Sequence, residues 1–260
     1  MYGSDLVRVG HGRPAPVVGA PAHCPQEMVA VETFPQAPNI PDYLQKYYWW
    51  AYVHRNAPRV FERQWLVNAI LWGNYARLRD AALNALGASL PGRTLQIACA
   101  YGDLTETLCQ RVQDGNGRLD VIDVLPTQLT NLRAKLPGHA DVEMRLMDAA
   151  DLDVPDATYD RAVLFFLLHE QPAEWRRRTL AEALRVVKPG GRIVIIDYAR
   201  PHWWQPLRYL FGPILRRLEP FAVDLWRQPI STWMPQPWAG RQLTRRTFFG
   251  GLYQEIVFDR

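Results

Sequence analysis

The sequence predicts an α/β fold, an open, doubly wound Rossmann-like sheet, and two observations predict it. From residue 94 onward, short apolar runs (94–98, 119–124, 142–147, 162–168 and 192–198) alternate with stretches of helical spacing (104–112, 127–136 and 173–187). The runs are rich in Val, Ile, Leu and Phe, as strands covered on both faces are. Strand–helix alternation at this rhythm builds a parallel sheet whose ligands bind outside the strand carboxyl ends. The second observation is the turn after the first run, Gln96-Ile97-Ala98-Cys99-Ala100-Tyr101-Gly102-Asp103. It sits where such folds place the loop that approaches a nucleotide.

The elements follow in order. Residues 1–40 carry repeated prolines and little periodicity, and they read as a flexible leader without the charged start and apolar core of a secretory signal. A mitochondrial targeting peptide is the other reading of this stretch, against which its low serine content counts. Residues 41–90 read as an N-terminal helical cap: Trp65, Ala69, Trp72 and Ala76 recur at helical spacing, and Gly87 supplies a stop. Residues 91–260 form the nucleotide-type domain. Within it, Lys188-Pro189-Gly190-Gly191 ends a helix and turns tightly into the fifth strand.

An insert at 199–242 reads as a helical lid, with Leu207, Leu210, Phe211, Ile214, Leu215 and Leu218 on one face and Arg208, Arg216 and Arg217 off it. Gly212-Pro213 is expected to break or kink that helix. Trp203, Trp204, Trp226, Trp233 and Trp238 add amphipathic rings suited to a membrane interface; a lid whose apolar face packs inward is the plainer reading. The stretch 245–258 reads as a closing hairpin around Gly250-Gly251.

Composition sets the class. The 260 residues are 48% hydrophobic and 22% charged, which excludes wholesale disorder and fibrous repeats. No charge-free apolar run reaches the ~18 residues of a membrane span. The net charge of +4 comes without a long basic tail or a finger motif, so nucleic acid is not an expected partner. Three cysteines, Cys24, Cys99 and Cys109, are too few and too scattered for a disulfide framework or a zinc site. Ten tryptophans crowd into the cap and the lid.

The candidate site lies at the strand ends. Asp123 comes 21 residues after Gly102, closing the second strand, where a carboxylate accepts both ribose hydroxyls of an adenosine. Met147-Asp148-Ala149 follows the third strand, and an acid there reaches an exocyclic amine.

These residues resemble the class I S-adenosylmethionine-dependent methyltransferases, in particular the UbiE and UbiG group that acts on ubiquinone and menaquinone precursors. The segments Tyr48-Trp49-Trp50-Ala51-Tyr52-Val53-His54, Phe61-Glu62-Arg63-Gln64-Trp65-Leu66-Val67-Asn68 and Leu71-Trp72-Gly73-Asn74-Tyr75 further resemble the rhodoquinone biosynthesis proteins of the RquA type. The resemblance implies about seven strands with the last one antiparallel, and S-adenosylmethionine bound by Gln96, Ala98, Tyr101, Gly102, Asp123, Asp148, Ala149 and Phe165. It also implies conversion of ubiquinone to rhodoquinone, in which S-adenosylmethionine supplies an amino group in place of a ring methoxy and Mn2+ assists. The expected setting is peripheral contact with the inner face of a bacterial cytoplasmic membrane, or the matrix side if the source is eukaryotic; a homo-oligomer is left open.

The first loop departs from the methyltransferase pattern. An acid is replaced by Gln96, two glycines by Ala98 and Ala100, and a small hydroxyl residue by Tyr101. A carboxylate favours the charged form of the cofactor's α-ammonium, so a neutral Gln96 leaves more free amine. A conventional methyltransferase with a drifted loop, and an inert cofactor-binding scaffold, are the competing readings. Tyr101 and His169 are the catalytic candidates. Tyr101 steers the amine or only fills space; His169, ending the fourth strand, acts as base or metal ligand or simply closes the strand. Asp103 reads as a helix N-cap, with a metal role as the lesser option. Glu62, His54 and Asp42 are further donors in no recognisable metal spacing, so the metal ligands are unassigned.

Overall fold

The computed structural model describes residues 40–48, 63–138, 140–236, 238 and 243–260. The leader at 1–39, His54, Glu62 and the aromatic segment 49–62 lie outside the described residues, as do 239–242 at the end of the lid.

Among the described residues, three helices come first: α1 (Asp42–Tyr47), α2 (Gln64–Ile70) and α3 (Tyr75–Leu86). The alternating core then runs β1 (Arg93–Ile97), α4 (Leu104–Asp114), β2 (Arg118–Asp123), α5 (Pro126–Lys135), β3 (Val142–Leu146), β4 (Tyr159–Phe165), α6 (Ala173–Val186) and β5 (Val187–Tyr198). Two helices of the insert, α7 (Leu207–Leu218) and α8 (Ala222–Arg227), precede the hairpin of β6 (Thr244–Phe248) and β7 (Tyr253–Asp259).

The seven strands form one sheet in the order β3-β2-β1-β4-β5-β7-β6. β1 to β5 pair in parallel and β7 runs antiparallel to β5. The order reverses between β1 and β4, and the crevice at such a switch point is where this architecture binds ligands. Ile97, Val121, Ile122, Leu164 and Ile195 have no exposed surface, which is why these strands read as continuous apolar runs.

The structure corrects four local expectations. Lys188-Pro189-Gly190-Gly191 lies inside β5 as an irregularity: Tyr159 pairs with Val187, and Arg161 next pairs with Arg192. Gly190, at φ +80°, donates its N–H to Arg260, which ties the chain end to this bulge. The α7 helix is continuous through Gly212-Pro213. Proline removes only the bond to the Tyr209 carbonyl, on a turn whose side chain is 71% exposed, so water can satisfy that oxygen. The cap pattern is split by a turn at 71–74, with Trp72 and Gly73 both at positive φ. Val67, Leu71, Tyr75 and Leu78 are among its buried residues, while Trp65 is largely exposed and Trp72 is half-buried, packed on Phe211 at the cavity. Finally, Trp233, one of the rings expected at an interface, is buried beneath Arg176, itself fully buried, which bonds the carbonyls of Leu168, Gln171 and Phe221 and lies 4.3 Å over the Trp233 ring. Trp233 is therefore a core residue and contributes no interfacial ring.

Candidate cofactor and substrate cavity

A cavity of about 430 Å³ opens at the carboxyl ends of β1, β2, β4 and β5, roofed by α1, α2 and α7. Ala98, Tyr101, Asp123, Asp148, Ala149 and Phe165 all line it, and so does His169. Gln96 and Gly102 do not reach its wall.

The loop after β1 explains both exceptions. Ala98 holds φ +71°, a conformation that suits glycine and costs an L-residue ~1–2 kcal/mol. Two bonds hold it there: its N–H donates to Ile122 O at 2.9 Å, and Gln96 Nε2 donates to its carbonyl at 3.1 Å. Gln96 is fully buried beneath the loop. The acid of the wider pattern could not make this second bond, because a carboxylate only accepts. Gly102, at φ +90°, is pressed against the Tyr75 phenol, where any Cβ would collide. Tyr75 in turn accepts the Leu104 N–H at 3.0 Å and so anchors the start of α4 to the cap. Gly102 shapes the loop, and its carbonyl accepts Lys135 Nζ at 2.7 Å.

Asp123 closes the loop from the other side, accepting Cys99 N and Leu125 N at 2.8 Å each. Burial pushes its carboxyl up to about 6, against the pull of those N–H groups. Hydroxyls donating to it would restore the solvation that burial removes. Asp148 accepts Ala150 N at 2.8 Å, which turns the chain and sets Ala149 on the cavity wall. Tyr101 Oη accepts Gln128 Nε2 at 2.8 Å, so the phenol is held across the cavity by the first turn of α5. Phe165 meets Tyr75 edge-on at 6.1 Å. This apolar lining, with carboxylates at the ends of β2 and β3 where the resemblance expects the adenosine, fits S-adenosylmethionine.

The far wall is polar. His169 stands in a single 3₁₀ turn after β4, and Asp197 near the end of β5 organises that turn. Asp197 accepts Leu168 N at 2.8 Å, His169 N at 3.2 Å and, through its other oxygen, His169 Nδ1 at 3.0 Å. His169 Nε2 then lies 3.8 Å from Glu170 and 3.6 Å from Glu219. Burial disfavours the imidazolium, but Asp197, Glu219 and Glu170 outweigh it and push His169 up to about 9. The ring is thus a cation at neutral pH, placed to donate a proton and ill suited to take one. Phe166, at φ +54°, packs edge-on against His169, Tyr198 and Tyr253 and closes this compartment.

Asp103 occupies the N-cap position of α4, yet its side chain makes no cap bond. It pairs instead with Arg79 of α3, whose guanidinium outweighs partial burial and lowers its pKa. Asp42 is an exposed residue of the first turn of α1. Among the described residues, no three His, Cys, Asp or Glu side chains are grouped as a metal ion would require.

Sequence reasoning missed Asp197, Glu219, Gln128 and Tyr75. A carboxylate ending the run Ile193-Val194-Ile195-Ile196 was a readable signal for Asp197, since a buried charge needs partners. Glu219 carried none.

A methyltransferase domain model matches residues 94–191. The demethylmenaquinone methyltransferase of Beutenbergia cavernae is 30% identical over 191 residues, covering 68% of this chain and 74% of that protein. The ubiquinone/menaquinone biosynthesis C-methyltransferase of Teredinibacter turnerae is 31% identical over 140 residues, covering 52% and 55%. Several curated relatives, the Bacillus licheniformis and Tropheryma whipplei demethylmenaquinone methyltransferases among them, are spanned over only 63% and 66% of their length. Among solved structures, human N-acetylserotonin methyltransferase with its bound cofactor aligns at a TM-score of 0.56, with 15% identity, over 85% of this chain and 60% of that one. That likeness establishes the fold.

Proposed function

Because the chain belongs to the methyltransferase family of the demethylmenaquinone methyltransferases, we propose that it uses S-adenosylmethionine to modify a prenylated quinone, and that the group transferred is an amine. On this reading ubiquinone is converted to rhodoquinone by exchange of a ring methoxy for an amino group. The observation that carries the amine reading is Gln96. A buried, neutral amide stands at the loop start, spent on the Ala98 carbonyl, where the wider pattern has an acid. No carboxylate is then available at that position to favour the charged form of the α-ammonium.

When bound, the cofactor would supply the nucleophilic amine. The residues of this chain do the rest. Asp123 and Asp148 hold the adenosine half, and Tyr101, braced by Gln128, borders the methionine half. The His169 imidazolium donates to the quinone carbonyl oxygen as negative charge grows there, which activates the carbon bearing methoxy. The resemblance also implies Mn2+; no described group of side chains fits it, and no step is routed through it.

Access from a lipid surface belongs to the same reading. Phe211 and Leu215 of α7 line the cavity, while Trp203, Trp204, Tyr209 and Leu210 are more than half exposed outside it. Arg216 and Arg217 are exposed on the same helix. A helix with aromatic and basic exposed residues suits peripheral contact with an anionic bilayer, on the cytoplasmic face. No helix among the described residues is long and apolar enough to cross a membrane.

A conventional C- or O-methyltransferase of a prenylated quinone is the second reading, favoured by the names of the relatives. An inert scaffold is the third. Mass spectrometry after incubating the protein with ubiquinone, Mn2+ and cofactor labelled at the amine separates them. Loss of methoxy with gain of labelled nitrogen is expected. An added methyl would replace the amine reading with the second, and no product would favour the scaffold.

A further inference from the structure

Besides Asp123 and Asp148, two carboxylates line the cavity: Glu170, the chain neighbour of His169, and Glu219, which neither the cofactor positions nor the turn after β4 accounts for. Glu219 follows the last residue of α7 and stands at the helix C-cap, its N–H bonded to Leu215 O at 2.7 Å. A carboxylate there opposes the helix dipole, which favours a cation at that end. Its placement therefore has no explanation in helix stability. The side chain lines the cavity, and Oε2 is buried without a hydrogen-bond partner among the described residues. His169 Nε2 faces it at 3.6 Å and is otherwise flanked by Glu170. From the remaining elements, Asp197 and Tyr198 of β5, Tyr253 of β7 and Tyr48 beyond α1 share its field. Tyr253 Oη is also buried without a partner among the described residues. Tyr253 does not reach the cavity wall, but Glu219 does, and an unsatisfied carboxylate oxygen there points to a bound polar group.

We infer that Glu219 is the general base of the quinone reaction, carried to the cavity by the lid helix and completing the site opposite His169. The inference rests on the quinone reading above. The proton balance closes. As the amine adds to the ring carbon bearing methoxy, the new N–C bond takes the nitrogen lone pair, and the ring π electrons move to the conjugated carbonyl oxygen. That oxygen takes the Nε2 proton of His169. The ammonium N–H breaks, leaving its electron pair on nitrogen, and the proton goes to Glu219 Oε2. On collapse, the carbonyl re-forms and returns its proton to His169. The C–O bond to methoxy breaks, and methoxide leaves with the Glu219 proton as methanol. This exchange gives a quinone whose nitrogen still carries the donor's carbon, and the cleavage of that N–C bond is a separate step in which Glu219 has no part. Burial raises the Glu219 pKa, with His169 opposing, which brings a carboxylate nearer the neutral range where a general base works best.

The test uses the full chain with labelled histidine and the variants Glu219→Gln and Glu219→Asp. In the absence of substrate, NMR titration of His169 should show its midpoint falling by about one pH unit in Glu219→Gln, because one neighbouring charge is gone. In turnover, counting any modified quinone, kcat should fall about 100-fold or more in Glu219→Gln. KM for cofactor and quinone should stay within about twofold, the acid limb of the kcat–pH profile should vanish, and Glu219→Asp should recover part of the rate. An unmoved His169, or a Glu219→Gln variant with wild-type kcat, overturns the inference. So does line broadening by Mn2+ centred on His169 and abolished by Glu219→Gln, which would make the cluster a cation site. If wild type yields a methylated quinone, the amine reading fails while these same rates still judge Glu219. Wild type that modifies no quinone overturns both.

Discussion

The His169 cluster makes stability depend on pH in a defined window. An imidazole ordinarily titrates near 6.5, and in the folded chain burial opposes but Asp197, Glu219 and Glu170 prevail, holding His169 at about 9. A base with a raised folded pKa contributes its full stability below the unfolded value and loses it as pH rises through the folded one. Between about 6.5 and 9 the folded state keeps a proton that the unfolded state has released, so stability falls by up to ~1.4 kcal/mol per pH unit. Across the window the loss is about 3 kcal/mol. His169 is only 7% exposed, so solvent screening removes little of it. Asp123, raised to about 6, acts below this window. Urea unfolding of the cofactor-free protein at four pH values from 6.5 to 9, for wild type, His169→Gln and Glu219→Gln, reads the effect. The difference between wild type and His169→Gln should shrink by about 3 kcal/mol as pH rises. Glu219→Gln measures the share of that one neighbour. A difference that stays flat with pH would refute the charged cluster and with it the proton-donor role of His169.

Two further outcomes are expected. Gln96→Asp removes the donor to Ala98 O and buries a carboxylate in its place, so the urea midpoint should fall by the equivalent of ~1–3 kcal/mol and aminoquinone yield should drop. Unchanged yield in a reconstituted assay would contradict the reading of the loop. The double variant Trp203→Ser, Trp204→Ser should lose about tenfold or more in co-sedimentation with anionic, quinone-loaded vesicles, since two large rings leave the interface, with cofactor affinity unchanged by calorimetry. Wild type that fails to sediment with such vesicles would remove the membrane proposal.

Much of the sheet was legible because its strands are covered on both faces, so that the runs at 94–98 and 192–198 could be read from composition alone. Faces were less legible. Trp65 and Trp72 share a helical spacing with a real amphipathic pattern, but spacing does not say which stripe meets the core, and the smaller Val67, Leu71 and Leu78 took it. Nothing in residue type sets Arg176 apart from Arg177 and Arg178, and only the convergence of three backbone carbonyls and the Trp233 ring makes its burial tolerable. Gln96 was noticed for its missing charge, but its bond to Ala98 depends on loop geometry that residue type alone does not specify.

Local chemistry thus determined the strands, the loop after β1 and the two acids, Asp123 and Asp148, that follow β2 and β3 onto the cavity wall, since each follows from burial, chain spacing and residue type over a few neighbours. The tertiary structure alone decided what His169 is. Asp197 lies 28 residues away along the chain, and Glu219 lies farther still, at the end of the lid helix. Coulombic coupling depends on distance in space, and within 4 Å these groups turn an ordinary imidazole into a buried cation.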